Sequence, residues 1–140
     1  MSDYYYKRAI LYPITKELLQ EMKLEDAWEI GQYFPRDDKR FTIECFIDYT
    51  ASAKSRDYKV NYYLAYELAW TYGKENSEFG RSRYLTATEQ EKYVKIFEKV
   101  IHSLVPDKLK YVEYCWYNCC ECDDYYIKTE CVGDNRNERP

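Results

Sequence analysis

The residues with the most reactive side chains crowd into the last quarter of the chain. Cys115, Cys119, Cys120, Cys122 and Cys131 lie there, and Cys45 stands alone upstream. Cys119 and Cys122 form a C-x-x-C pair, the spacing that lets two thiolates chelate one zinc ion. Cys131, with Cys115 or Cys120, would complete four ligands. Against this stand the missing second C-x-x-C and the position of His102, the single histidine, near a helix end and outside any motif. Small free cysteines also bury well as ordinary apolar residues. Cys115, Cys119, Cys122 and Cys131 are therefore the zinc candidates, and the expectation is a chain with no metal and no other cofactor. Thiol redox chemistry is disfavoured, because Glu121, Asp123 and Asp124 oppose the thiolate that such chemistry needs.

The same segment has a second character. From Tyr111 to Ile127 there is no Lys or Arg, while Glu113, Glu121, Asp123 and Asp124 all fall there. Those four carboxylates equal the net charge of the whole chain, −4. Tyr111, Tyr114, Trp116, Tyr117, Tyr125 and Tyr126 accompany them. Tyrosine offers a large contact area at low entropic cost and is favoured at interface hot spots. Aromatics with one sign of charge suit a basic groove on a protein, with the charge steering the encounter. The residues expected to bind a partner are Tyr111, Glu113, Tyr117, Glu121, Asp123, Asp124, Tyr125 and Tyr126.

Catalytic motifs are missing. There is no P-loop, G-x-G-x-x-G, H-E-x-x-H or G-x-S-x-G, and one histidine leaves little for acid–base work. A non-enzyme is expected.

The elements that position these residues follow from composition and period. The chain has 140 residues, 46% hydrophobic and 33% charged, with 18 tyrosines against 5 phenylalanines. Tyrosine must supply part of the core, and its buried hydroxyls need partners. No apolar run reaches the length of a membrane helix, and no secretory leader opens the chain, so the expected location is the cytoplasm. One α+β domain over residues 1–132 is expected, with 133–140 a flexible polar tail.

Residues 4–12 read as a strand ended by Pro13. Thr15 caps a helix carrying Ile14, Leu18, Leu19 and Met22 at helical spacing, which is expected to continue through Trp28 to Ile30 and stop at Gly31. Strict alternation predicts strands over 41–49 and 58–72, the second against its helical propensity. Residues 73–85 read as a loop. Thr88 with Glu91 reads as a capping box for a helix that places Tyr93, Ile96, Phe97, Val100, Ile101 and Leu104 on one stripe. A strand over 109–117 and a short edge strand after Asn118 complete the chain.

The order β-α-β-β-α-β predicts a ferredoxin-like split βαβ fold, an antiparallel sheet with two helices on one face. The other face would stay partly open, with Phe46, Tyr63, Tyr111 and Tyr117 on it, Phe46 and Tyr63 forming a secondary surface. Single-stranded RNA readers of this architecture stack bases on such aromatics. Here Glu44, Asp48, Glu67 and Glu113 would share that face and repel phosphate, and no basic footprint is present, so direct nucleic-acid binding is disfavoured.

In composition rather than by motif, a small, tyrosine-rich, acidic domain without catalytic residues resembles phage or mobile-element proteins such as anti-CRISPRs. The resemblance implies an inhibitor that occludes a basic, nucleic-acid-binding surface of a partner protein. The alternative is a nucleic-acid-binding or zinc-stabilised regulatory module.

Overall fold

Both segments with strict alternation are strands, and the helical propensity of Ala65, Glu67, Leu68 and Ala69 does not prevail. The structure is a computed structural model that describes residues 3–48, 59–73, 81–118 and 123–126. The order is β1 (Asp3–Ile14), α1 (Lys16–Met22), a 3-10 helix (Ala27–Tyr33), β2 (Phe41–Asp48), β3 (Lys59–Gly73), β4 (Arg81–Tyr84), α2 (Ala87–Phe97), a 3-10 turn (Pro106–Lys108), β5 (Lys110–Asn118) and β6 (Asp123–Tyr126). The strands form one antiparallel sheet in the order β2-β3-β1-β5-β4, with β6 also on β5. The fold class is α+β.

This order departs from the simple six-element pattern. β4 precedes α2 where a loop is expected, and it pairs with the first half of β5. β6 pairs with the second half, on Cys115–Asn118.

Local chemistry explains the boundaries. β1 runs through Pro13 instead of ending before it. Its pairing with β5 stops at Leu11 opposite Lys110, so Pro13 lies where only β3 is a neighbour. A missing N–H is tolerated in such a one-sided stretch. Thr15 caps α1, its Oγ1 accepting from the Leu18 amide at 3.1 Å. α1 does not continue to Ile30. Lys23 turns left-handed (φ 58°) and its N–H caps Gln20 and Leu19. Asp26 then starts the separate 3-10 helix, with its Oδ1 accepting from the Glu29 amide at 3.1 Å, and Gly31 lies inside that helix. The capping box of α2 is two residues earlier than expected. Thr86 Oγ1 accepts from the Glu89 amide at 3.2 Å, and Glu89 Oε1 accepts from the Thr86 amide at 2.9 Å. Such a cap stabilises a helix by about 1 kcal/mol.

Both helical layers cover the same sheet face. Leu18, Ile30, Phe97 and Ile101 pack with Ile10, Tyr12, Leu64 and Tyr66. Phe41 sits at the centre, with ring centroids 4.9 Å from Tyr66 and 5.6 Å from Phe97. Tyrosine supplies core, as the composition demands, and its hydroxyls are partnered. The Tyr12 hydroxyl accepts from the Val105 amide at 3.0 Å, and the Tyr66 hydroxyl donates to Asp38 at 2.7 Å.

The opposite face is not open. Ala9, Leu11, Phe46, Ala65, Val112 and Tyr114 form a second buried cluster there. Phe46 of β2 meets Tyr114 of β5, ring centroids 5.4 Å apart, although β3 and β1 lie between those strands in the sheet. The sheet therefore curls on itself, and β2 also lies against β6. A bulge contributes: Arg8 pairs with Ala69 and Ala9 with Glu67, leaving Leu68 as the extra residue. Bulges bend a strand and increase its twist. The expected surface at Phe46 and Tyr63 is corrected accordingly. Phe46 is 2% exposed, and Tyr63 is half-buried against it. The expected facing of β5 is also off by one residue. Val112 and Tyr114 point into the curl, while Tyr111 packs toward the helices.

Candidate functional site

Alternation along β2 has a consequence for charge. The parity that buries Phe46 also buries Glu44, which is 1% exposed. Glu44 Oε1 accepts from Thr42 Oγ1 at 3.0 Å and lies 3.7 Å from Lys7 Nζ. The same ammonium lies 3.7 Å from Glu67 Oε2. Glu44 Oε2 has no hydrogen-bond partner among the described residues. Burial pushes the Glu44 carboxyl above its ordinary range; Lys7 and hydrogen bonds from Thr42 and Tyr114 oppose that. One lysine between two carboxylates ties β1, β2 and β3 together inside the curl. A carboxyl so enclosed cannot touch a macromolecule, and its chemistry is that of a buried, proton-linked tie.

The predicted partner-binding residues divide into two groups. Tyr111 and Glu113 are engaged within the sheet. The Arg83 guanidinium lies 4.4 Å from the centre of the Tyr111 ring, a cation–π contact, and burial pushes the Tyr111 phenol upward. Glu113 lies 3.9 Å from Arg8 Nε and pairs in register with Arg8 and Arg81. Arg83 itself is held by Glu89 through two contacts, at 2.7 and 2.9 Å, which lower the Glu89 carboxyl to about 2.

The second group shares one antiparallel strand pair, β5 with β6, and β6 also lies against β2. In register, Tyr117 faces Asp124, Trp116 faces Tyr125, Cys115 faces Tyr126 and Asn118 faces Asp123. Backbone pairing thus brings Tyr117, Asp123, Asp124, Tyr125 and Tyr126 together. Glu121 lies outside the described residues.

The zinc candidates Cys119, Cys122 and Cys131 also lie outside them, as does Cys120. Cys115 is placed in β5 by its backbone pairing alone. Among the described residues no group of three metal-ligating side chains occurs. Cys45 is a half-buried free thiol that burial pushes up, the opposite of an activated nucleophile.

Two features are missed by sequence reasoning. Glu44 is one, because a charged residue in an alternating strand reads as solvent-facing. The other is a cavity of about 480 Å³ beside Trp28 and Tyr62, whose rings stand at 83° to each other. No sequence signal couples Trp28 to β3, since they are separated by more than thirty residues of chain.

No family model matches the chain, and neither a curated protein nor a solved structure matches it.

Proposed function

We propose that this chain is a non-catalytic inhibitor that binds a partner protein on a basic, nucleic-acid-binding surface and excludes the nucleic acid, as a phage or mobile-element anti-defence protein would, in the cytoplasm. The observation that supports this reading is the β5–β6 register, which gathers Tyr117, Asp123, Asp124, Tyr125 and Tyr126 on one strand pair. Tyr111 and Glu113 drop out of the contact surface and become its support, because both already have partners in the sheet. Among the described residues no helix is long and apolar enough to cross a membrane, which is compatible with this location. The finer fold reading is also ours: the long strands in the order β2-β3-β1-β5, with both helical layers on one face, form a ferredoxin-like split βαβ core to which β4 and β6 are additions.

The test separates charge from contact, using the partner captured from the host and then purified. Replacing Glu121, Asp123 and Asp124 by amides is expected to slow association and flatten its salt dependence, since exposed charges act through a screened field. Tyr125→Ala or Tyr126→Ala is expected to speed dissociation, at a cost on the order of 2 kcal/mol for a buried anchor. A folded triple-amide variant with unchanged association rate and salt response would remove the β5–β6 pair from the interface.

A further inference from the structure

Away from the β5–β6 pair, the end of β1, the start of α1, the start of the 3-10 helix and the start of β3 meet around the cavity of about 480 Å³. Its aromatic lining is Trp28, Tyr62 and Tyr63. Trp28 is 57% exposed, a large apolar area to leave in water. Its ring meets that of Tyr62 edge to face, centroids 5.8 Å apart and planes at 83°, so the two form adjacent walls at nearly a right angle. The polar lining includes Glu25, Asp26 and Lys16, all exposed. Asp26 is fixed in place by its cap to the Glu29 amide.

We propose that this corner binds the quaternary ammonium group of a small organic cation. Aromatic faces carry negative electrostatic potential and attract a cation placed over them, most strongly over tryptophan. Two carboxylates against one lysine leave the lining net negative, which selects against anions. A metal ion is disfavoured, because the described residues hold no group of three ligating side chains. A primary ammonium is strongly hydrated and needs hydrogen-bond acceptors for its three donors. A trimethylammonium group has no donors, fills an apolar corner with its methyls and keeps its charge near Glu25 and Asp26. This site is separate from the β5–β6 pair and stands or falls without the inhibitor reading.

The probe is choline, with 3,3-dimethylbutan-1-ol as its uncharged equivalent of the same shape. Binding is followed by saturation-transfer NMR on the methyl protons and by the shift of the Trp28 indole N–H, assigned by comparison with Trp28→Phe. Choline is expected to bind with millimolar affinity, and the uncharged alcohol about tenfold more weakly. Trp28→Ala is expected to lose about tenfold in choline affinity, Trp28→Phe to retain part of it, and Glu25→Gln to lose about two- to threefold with reduced salt sensitivity. Both positions are exposed, and an unchanged thermal melt shows that each variant is folded. Equal binding of choline and the alcohol would reduce the site to an apolar cavity and overturn the proposal. So would choline binding that survives Trp28→Ala, or no choline binding at tens of millimolar.

Discussion

Replacing Glu44 by glutamine probes the curl of the sheet from the inside. The carboxyl is 1% exposed and one of its oxygens has no hydrogen-bond partner among the described residues. An unsatisfied buried polar group costs about 1–3 kcal/mol, and more when it is charged. Lys7 offsets part of this cost, but it is shared with Glu67, and both ion-pair distances are 3.7 Å. The amide keeps an acceptor for Thr42, removes the buried charge and leaves Lys7 paired with Glu67. Burial raises the carboxyl above its ordinary value of 4.5. A group with a raised folded pKa contributes stability that is fully present below its unfolded pKa and is lost as pH rises through the folded value. Wild type should therefore lose stability relative to Glu44→Gln between mildly acidic and neutral pH. The variant is expected to be more stable at pH 7 by about 1 kcal/mol, and the difference to shrink toward pH 4.5. Urea unfolding of both proteins at a series of pH values reads this directly. Parallel stability curves would show that Glu44 is not the buried titrating group. A loss at pH 7 of about 3 kcal/mol or more would show that the Lys7 pair outweighs desolvation.

Phe97→Ala empties the centre of the helix-facing core, where the ring is fully buried against Phe41, and should cost about 3–5 kcal/mol in chemical denaturation. The Arg83–Glu89 pair is partly exposed, so Arg83→Gln should cost at most about 1 kcal/mol at pH 7. Because Glu89 is lowered to about 2, its contribution is present above the ordinary carboxylate pKa and is lost as pH falls through the folded value, so the gap between wild type and this variant should close in acid. Purified protein should carry well below stoichiometric zinc by elemental analysis, and a chelator should leave its melting temperature unchanged; tetrahedral sulfur ligation would reverse the reading of the C-terminal cysteines.

Period and capping chemistry made much of the fold legible. Strict alternation identified β2 and β3, and Thr15 marked the start of α1. Structure and sequence pattern diverge where a residue's local signal is ambiguous or its partner distant. β5 carries apolar residues in both phases, with Leu109 and Tyr111 toward the helices and Val112 and Tyr114 toward the interior, so alternation could not choose between them. Lys23 holds a left-handed cap that glycine usually signals, so the apolar spacing alone predicts a helix running on past it. Curling is a property of the whole sheet, expressed through a bulge at Leu68 that no local pattern marks, and it buries Phe46 and Glu44 together. For the same reason the aromatic face expected to be a surface became core. The acidic segment was legible as composition, whereas the register that pairs Asp123–Tyr126 with Cys115–Asn118 is not marked by any local pattern.

The central claim is exclusion of nucleic acid from a partner's basic surface, and a competition titration tests it most directly. The captured and purified partner is loaded with labelled nucleic acid, and this protein is added in increasing amounts while fluorescence anisotropy is recorded. The account predicts saturable displacement of the label, weakened in the Glu121, Asp123 and Asp124 amide variant. A stable ternary complex, with the label still bound while this protein is saturating, would contradict it.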